Sequence, residues 1–277
     1  MKICAITGSS GILGQKIKKK LPFKFHEFKG DISKWKDVKK WIHEKDFDLL
    51  IHLAARVPTK KVALNYKKAL EINCIGTKNI VNSLKSKKNK PKWVFFSSTS
   101  HVYNSSKKNL RIKESTRLCP SSKYGMTKKK GEFEIIKLKE SNINYCIGRI
   151  FSFTDIRQKT PYVIPTLIKK IKDSKHKEII LRNMNHYRDF ISTNNICKII
   201  LKLYKTNSKG IYNIGSGQGI CIKEIAMLIG LKYKKIVKFI DNDDITYLIS
   251  NNKRILAKGI KLNKSKNNSL FFIVPLI

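Results

Sequence analysis

A tyrosine and a lysine four residues apart, Tyr124 and Lys128, are the pair in this sequence best suited to acid–base chemistry. Residues at this spacing lie on one face of a helix, so the phenol and the ammonium can contact the same ligand. A free tyrosine has a pKa of roughly 10 and is a weak base at neutral pH. A nearby cation favours the phenolate and lowers that pKa, which makes the tyrosine usable for proton transfer. In a chain rich in lysine the pair also fits a half-exposed helix face, so the surrounding sequence has to decide.

Three glycines, Gly8, Gly11 and Gly14, follow the first apolar run of the chain, residues 2–7. A polar, helix-favouring segment at 15–21 comes next, and strand, glycine turn and helix is the context of a nucleotide-binding loop. Glycine lets the backbone approach a pyrophosphate, and a helix N-terminus offers free N–H groups. The spacing differs from the common G-x-G-x-x-G, and an ordinary turn would explain one or two glycines. Three glycines spaced three residues apart, directly after the apolar run, predict a nucleotide-binding site.

Short apolar runs alternate with helix-favouring segments along the first half of the chain. We predict strands at 2–7, 23–28, 48–53, 92–97 and 144–150, and helices at 15–21, from an N-cap at Ser33 to about Asp46, and at 60–86 and 124–140. This order predicts an α/β fold, a doubly wound parallel sheet of the Rossmann type with right-handed crossovers. Residues 1–150 are expected to form the nucleotide-binding domain and residues 151–277 a small C-terminal substrate lobe. Segments near 186–206 are expected to return to the first domain.

Small and hydroxylated residues follow two of the predicted strands. Ala54 and Ala55 come after the strand at 48–53, and a hydroxyl-rich cluster at 97–103 comes after the strand at 92–97. Carboxyl ends of parallel strands meet at one sheet edge, where ligands bind in such folds. The alanines could equally pack against helices, and the hydroxyls could cap the next element.

Ordered motifs over nearly the whole chain resemble those of the extended short-chain dehydrogenase/reductases, the NAD-dependent epimerase/dehydratase family, which acts mostly on nucleotide sugars. The motifs are Thr7-Gly8-x-x-Gly11-x-x-Gly14, Gly30-Asp31, His52-Leu53-Ala54-Ala55, Asn73-x-x-Gly76-Thr77, Thr99-x-x-x-Tyr103, Tyr124-x-x-x-Lys128, Tyr187-Arg188-Asp189-Phe190-Ile191 and Tyr212-Asn213-Ile214-Gly215-Ser216-Gly217.

The resemblance implies that Thr99, Tyr124 and Lys128 are the catalytic residues. Tyr124 would exchange a proton with a sugar hydroxyl or ketone, and Thr99 would orient the reacting oxygen. Lys128 would hold the nicotinamide ribose and lower the pKa of the tyrosine. Thr99, Tyr124 and Arg188 would bind the substrate, with Arg188 on its diphosphate; an ion pair with Asp189 is the ordinary alternative for this arginine.

The resemblance also implies a bound NAD or NADP. Asp31 would contact the adenine. Glu27, near the end of the second strand, is a candidate for the acidic residue that discriminates at the ribose, whereas Lys29 would suit a 2′-phosphate. NAD is preferred, and both remain open. The implied cofactor-binding residues are Gly8, Ser10, Gly11, Ile12, Leu13, Gly14, Asp31, Ile32, Leu53, Ala54, Ala55, Asn73, Tyr124 and Lys128.

The implied function is that of an NAD(P)-dependent nucleotide-sugar epimerase or related oxidoreductase. Dehydratases of the family carry Asp-Glu after the catalytic threonine, whereas this chain has Ser100 and His101 there, which argues against dehydration. His101 itself is not counted among the site residues. The shortened front half resembles the reductases, so an NADPH-dependent nucleotide-sugar 4-ketoreductase is the alternative. An alternative of another class is a non-catalytic NAD(P)-fold protein that binds RNA, against which the intact Thr, Tyr and Lys set argues.

The formal charge of +40 does not by itself predict a nucleic-acid partner. Only eight of the 59 basic residues are arginines, the preferred readers of phosphates and bases, and the lysines are spread along the chain. This pattern favours codon bias over a selected polyanion surface, so no specific nucleic acid is expected.

Compartment and assembly follow from weaker signals. The six cysteines form no C-x-x-C and no metal-ligand spacing, which is typical of a reducing compartment. No signal peptide is recognisable, and the apolar stretch at 270–277 is too short to span a bilayer. We therefore expect a soluble, cytoplasmic protein without metal or membrane partner. The helices at 60–86 and 124–140 are expected to pair with their copies in a homodimer, as the family commonly does.

Overall fold

A parallel sheet of six strands forms the centre of the computed structural model, which describes residues 1–106, 110–242 and 245–262. The strands of the chain are β1 (Ile3–Thr7), β2 (Lys24–Glu27), β3 (Leu49–His52), β4 (Trp93–Thr99), β5 (Asn144–Ile150), β6 (Ser152–Thr154), β7 (Glu178–Arg182), β8 (Tyr187–Ser192), β9 (Gly210–Ile214), β10 (Gly219–Cys221), β11 (Ile236–Ile240) and β12 (Tyr247–Leu248). The central sheet has the order β2-β1-β3-β4-β5-β9, and every neighbouring pair in it is parallel.

Both faces of this sheet are covered, which is why its inner strands are continuous apolar runs rather than alternating ones. All four residues of β3 are buried. Successive side chains point to opposite faces of a strand. Leu49 and Ile51 accordingly belong to one core cluster and Leu50 to another on the opposite side. The predicted doubly wound parallel sheet is confirmed.

Helices form a layer on each side. They are α1 (Ile12–Lys20), α2 (Trp35–Glu44), α3 (Thr59–Leu64), α4 (Tyr66–Leu70), α5 (Gly76–Ser86), α6 (Lys123–Ile136), α7 (Val163–Lys172), α8 (Thr193–Lys205), α9 (Ile222–Lys232) and α10 (Lys253–Leu256). The buried residues of α1 and α8 pack into the cluster on one face of the sheet, and those of α2, α5 and α6 pack into the cluster on the other.

The helix predicted at 60–86 is wrong as a single element. It is divided into α3, α4, a π-helical turn at Glu71–Ile75, and α5. Asn65 causes the break between α3 and α4, since its backbone is not helical (φ −138°, ψ 77°) and its side chain accepts a hydrogen bond from Lys68 N at 3.0 Å. An asparagine that caps the following helix in this way ends the preceding one.

One other predicted helix boundary is also wrong. Ser33 does not cap α2, because its hydroxyl donates to Asp31 Oδ1 at 2.6 Å and α2 begins only at Trp35. The helix predicted to end near residue 140 does extend that far, as an α-helix to Ile136 and then as a 3₁₀ turn over Lys137–Ser141.

A smaller unit packs beside the main sheet after β5. Strand β8 pairs with β6 and β12 in parallel and with β10 antiparallel, while β7 and β11 form a separate parallel pair. Helices α7 and α9 share an apolar cluster with these strands. The chain then returns to the main unit through α8 and β9, which pairs with β5.

In the ranges described, no helix combines the length and apolar character that crossing a membrane would need. The apolar stretch at 270–277 lies outside the described residues.

Candidate active site

The glycine loop is folded tightly against the end of β3. Gly8 has a positive φ of 69°, and a Cβ there would lie 2.7 Å from Ala54 N. A Cβ on Gly14 would collide with the carbonyl oxygen of Gly8 and would lie 2.7 Å from Ser9 Cα. Gly11 N donates to Gly8 O at 3.1 Å, which closes the turn directly before α1. Side chains at two of these positions are therefore excluded by the backbone itself.

This loop lies where the strand order reverses. The chain places β2 on one side of β1 and β3 on the other, which opens a crevice at the carboxyl ends of β1 and β3. Ala54 N donates to Thr7 Oγ1 at 3.2 Å, and that hydroxyl also meets His52 Nδ1 at 2.7 Å. The other ring nitrogen of His52 meets Thr77 Oγ1 at 3.0 Å, and burial lowers the pKa of the ring to about 3. A neutral histidine thus ties β1, β3 and α5 together beneath the crevice.

A cavity of about 940 Å³ extends from the glycine loop across the sheet edge to the smaller unit. It is lined by 13 of the residues predicted for the site, which are Gly8, Ser10, Gly11, Ile12, Leu13, Gly14, Leu53, Ala54, Ala55, Thr99, Tyr124, Lys128 and Arg188. Residues more than a hundred positions apart in the chain therefore share one space.

Tyr124 lies in the first turn of α6, directly beside the end of β4. Ser122 caps the helix by accepting from Gly125 N at 3.1 Å. A Cβ on Gly125 would collide with the carbonyl oxygen of His101, so the glycine permits this close approach. The Thr99 side chain accepts from His101 N at 3.3 Å, and the His101 ring meets the Tyr124 ring edge-on with centroids 5.8 Å apart.

The pKa of Tyr124 lies above its usual value, whereas the sequence predicted that Lys128 would lower it. Burial is the main cause, the neighbouring Tyr162 raises the pKa further, and a hydrogen bond with Thr99 lowers it. Lys128 is 1% exposed, its Nζ lies 4.1 Å from the centroid of the Phe96 ring, and burial lowers its own pKa to about 7. Because burial disfavours its charged form, Lys128 offers Tyr124 less positive charge than an exposed lysine would.

Arg188 points into the cavity from β8. Its Nη1 donates to the carbonyl oxygens of Tyr187 at 2.8 Å and Thr246 at 3.2 Å, and burial lowers its pKa to about 10. The ion pairs between described residues do not include Arg188. Asp189, its neighbour on the strand, points to the opposite face and is fully buried, so the alternative of a surface ion pair between the two is wrong.

Three residues of the predicted cofactor set do not line the cavity. The carboxylate of Asp31 accepts from the backbone and hydroxyl of Ser33, and Ile32 is 5% exposed in the apolar core. Asn73 is fully buried, with Oδ1 accepting from Arg56 N at 2.6 Å and Nδ2 donating to Thr127 Oγ1 at 2.9 Å. Asn73 thereby holds the loop after β3 against α6, which positions the cavity wall rather than forming it.

Glu27 ends β2 beside the glycine loop. Both of its carboxylate oxygens accept from Lys18 Nζ at 2.9 Å. Its pKa is lowered, first by the hydrogen bond from Lys18 and then by one from Ser9. The structure thus keeps an anion at the position where the sequence left NAD and NADP open.

His101 and Tyr162 line the cavity but were absent from the predicted site. Burial, followed by the charge of Arg188, lowers the pKa of His101, whose ring also contacts that of Tyr124. In the sequence, His101 could have been found from its position two residues after Thr99. Tyr162 could have been found from its position directly before an apolar helix.

The model of the NAD dependent epimerase/dehydratase family matches residues 4–215, which is more than three quarters of the chain. The chain belongs to the NAD dependent epimerase/dehydratase family. The recognition made from the sequence motifs is therefore confirmed.

Relatives in this family act on nucleotide sugars. GDP-6-deoxy-D-talose 4-dehydrogenase of Aggregatibacter actinomycetemcomitans is 27% identical over 273 residues, covering 92% of this chain and 90% of that protein. UDP-glucose 4-epimerase of Mycoplasma pneumoniae is 27% identical over 205 residues, covering 64% of this chain and 59% of that protein. The structure of RMD from Pseudomonas aeruginosa complexed with NADPH superposes with a TM-score of 0.86 at 20% identity, covering 100% of this chain and 98% of that one. This last likeness shows that the two chains share one fold.

Proposed function

We propose that this family member is an NAD(P)-dependent nucleotide-sugar oxidoreductase that interconverts a hydroxyl and a ketone at one sugar carbon. One observation carries the proposal: the cavity of about 940 Å³ joins the glycine loop, the Thr99, Tyr124 and Lys128 set, and Arg188. A cofactor end, a reacting centre and an anion-binding end would thus lie along one space. Support also comes from the talose 4-dehydrogenase, which matches over nearly the full length of both chains.

The glycine loop fits a dinucleotide by its shape. Backbone rather than side chain faces the cavity at Gly8 and Gly11, and α1 begins there with the unpaired N–H groups of its first turn. These groups would hold the pyrophosphate, and Leu53, Ala54 and Ala55 would lie along the nucleotide. When bound, the cofactor supplies or accepts the hydride, which no side chain can do.

Tyr124 would exchange the proton at the sugar oxygen. Because burial raises its pKa, the phenol is protonated at neutral pH and suits donation to a ketone oxygen. Thr99, whose hydroxyl is beside Tyr124, would orient that oxygen, and Lys128 would hold the nicotinamide ribose. We infer that net reduction of a keto sugar, or its reverse, is the overall reaction.

Arg188 would bind the substrate's diphosphate. A guanidinium can form two parallel hydrogen bonds with phosphate oxygens, and Arg188 uses one nitrogen, Nη1, on backbone carbonyls. Its charge also acts on His101, which lines the same cavity. The nucleotide would then extend toward α7 and β8 of the smaller unit.

A 4-epimerase is the second candidate. The likeness to UDP-glucose 4-epimerase of Mycoplasma pneumoniae favours it, although that match covers less of the chain than the dehydrogenase match does. An epimerase oxidises and then re-reduces the same carbon, so it regenerates its cofactor in every turnover.

Cofactor content and turnover separate these functions. The freshly purified chain would be analysed by mass spectrometry of released nucleotide and then assayed with GDP- and UDP-linked 4-keto sugars and NADPH or NADH. An initially empty site with stoichiometric oxidation of added cofactor supports the oxidoreductase. Tightly held NAD with no net oxidation supports the epimerase. A chain that binds neither cofactor would overturn both.

A further inference from the structure

The loop between β6 and α7, residues 155–162, forms part of the cavity wall, and we call it the strap. Its residues Gln158 and Tyr162 line the cavity, as do Gly11 and Ile12 at the start of α1. A dinucleotide on the glycine loop would therefore share this cavity with the strap. The function proposed above gives the strap no role.

Arg157 bonds the strap to the first turn of α1. Its Nη1 donates to Gln15 Oε1 at 2.9 Å, and its Nη2 donates to Ile12 O at 3.2 Å. Gln15 Nε2 donates in turn to Ser10 O, in the glycine loop, at 2.9 Å. Because a guanidinium only donates and a carbonyl oxygen only accepts, both partners fix the same orientation of the Gln15 amide. The bridge therefore extends from the strap to the glycine loop.

Asp155 holds the guanidinium of Arg157 in this position. Its Oδ1 accepts from Arg157 N at 3.1 Å and from Nε at 2.8 Å, and its Oδ2 accepts from Nη2 at 3.0 Å. Thr193 Oγ1, at the start of α8, donates to Oδ2 at 3.2 Å. The side chain of Asp155 is 8% exposed and that of Arg157 is 38% exposed. The better buried carboxylate thus preorganises the arginine for its bonds to α1.

We propose that Arg157 fastens the strap at the nucleotide site, so that its bonds to Gln15 and Ile12 must open before a dinucleotide enters or leaves. The proposal rests on the proposed function only in taking a dinucleotide as the ligand of the glycine loop. The bonds join the chain to itself, so they oppose opening both before a dinucleotide enters and before it leaves. Breaking them should therefore raise both the association and the dissociation rate. A residue that only shaped the glycine loop would, on removal, raise the dissociation rate alone.

The test is stopped-flow kinetics of NADH and NADPH binding to the full-length chain, followed by the fluorescence of the reduced nicotinamide. We expect Arg157→Met to raise both rate constants by about three- to tenfold, the effect of one or two partly exposed hydrogen bonds. The dissociation constant should change less than either rate constant. Arg182→Met, at an exposed arginine of β7 that does not line the cavity, is the matched control and should change neither rate.

Gln15→Ala tests the bridge from its other side. It removes the amide between Arg157 and Ser10 and leaves the ion pair of Arg157 with Asp155 in place. We expect a smaller gain in the association rate, because Arg157 keeps its bond to Ile12 O. The double variant should associate no faster than Arg157→Met alone, since the two side chains act through one contact.

Unchanged rates in Arg157→Met would overturn the proposal, and so would a rise in its dissociation rate alone. Fully additive gains in the double variant would overturn it too, because they would show two independent effects. A chain that binds the cofactor with the expected kinetics but turns over no keto sugar would overturn the proposed function and leave the strap standing. A chain that binds neither cofactor would overturn both.

Discussion

Tyr124 is the residue on which the proposed proton transfer depends. It combines a partly buried phenol, a pKa that Thr99 lowers and burial raises, and an edge-on contact with His101. The surrounding groups raise its pKa, so its resting form is a proton donor. Lys128 contributes less positive charge than the spacing of the pair predicts, because it is itself buried.

Tyr124→Phe is expected to lower kcat by about 10²–10⁴-fold, the usual contribution of a general acid or base. Cofactor affinity should change little, since the ring remains and only the hydroxyl is lost. Stopped-flow absorbance of the nicotinamide and a separate cofactor titration would measure the two effects. Tyr145→Phe, the same change on β5 outside the cavity, is the control. Loss of cofactor binding with an unchanged single-turnover rate would contradict the assignment.

Asp189 joins two sequence motifs that lie far apart in the chain, the one at 187–191 and the one at 212–217. It is fully buried and accepts from Ser216 N at 2.7 Å, Ser216 Oγ at 2.6 Å, Gly217 N at 3.0 Å and Ser250 N at 3.0 Å. The segment around Arg188 is thus bonded to the glycine turn after β9. This carboxylate fixes the strand from which Arg188 reaches the cavity.

Asp189→Asn is expected to destabilise the fold by about 3 kcal/mol, because an amide group replaces an acceptor that faces several donors. Chemical denaturation of the two proteins would measure the difference. The exposed Asp173→Asn makes the same change and should cost almost nothing. Equal stability of the two variants would show that the network around Asp189 does not hold the turn.

At the scale of elements, close backbone packing shapes the site. The glycine loop rests on the end of β3, and α6 packs closely on β4 because Gly125 and Gly131 have no side chains. A Cβ on Gly131 would lie 2.8 Å from the Phe96 ring and 3.0 Å from Asn73 O. The residues of α6 that face the cavity are held there by this contact.

Two alanine variants separate the fold of the glycine loop from its binding. Gly14→Ala forces the backbone of Gly8 and Ser9 to move, and we expect it to cost about 1–3 kcal/mol in stability without any cofactor present. Gly11→Ala meets only Gly8 O, at 3.3 Å, and otherwise faces open space in the cavity. We expect it to keep the melting temperature and to weaken cofactor binding. Calorimetric melting and cofactor titration test both, and the opposite pattern would refute this account of the loop.

At the scale of the whole molecule, the fold leaves one apolar stripe on α6 uncovered. Met126, Phe133 and Ile136 are 41%, 51% and 36% exposed, and their spacing places them on one face of the helix. Ile75, in the segment at 60–86, is 44% exposed. The homodimer expected from the sequence remains a prediction, and this stripe is the surface it would use.

Phe133→Glu is expected to convert a dimer to a monomer at micromolar concentration, since a carboxylate would be buried in an apolar contact. Leu231→Glu, at a 75% exposed position on α9, is the matched control and should leave the mass unchanged. Sedimentation equilibrium gives both masses. A native protein that is monomeric at this concentration would contradict the predicted homodimer.

The sequence alone was sufficient for the fold class, and 13 of the residues it predicted for the site line one cavity. Strand lengths, apolar runs and motif order are local properties, and the strand ends of a parallel sheet meet at one edge whatever the details. The resemblance to the family's motifs, rather than this geometry, groups Arg188 with Thr99 and Tyr124, since Arg188 lies on β8, outside the six-stranded sheet. The local pattern was less informative about helix boundaries. Asn65 caps α4 and so ends α3, and the hydrogen bond between Ser33 and Asp31 delays the start of α2.

Only the tertiary structure decided the electrostatics of the site. Spacing on a helix cannot show that Lys128 is buried against Phe96, that Glu132 forms a buried ion pair with Arg149, or that Asp189 faces away from Arg188. Each depends on contacts between residues far apart in the chain, and burial changes the cost of a charge more than sequence neighbours do. For the same reason Asp31 and Asn73 hold neighbouring backbone and side chains rather than lining the cavity, although their types suited ligand binding.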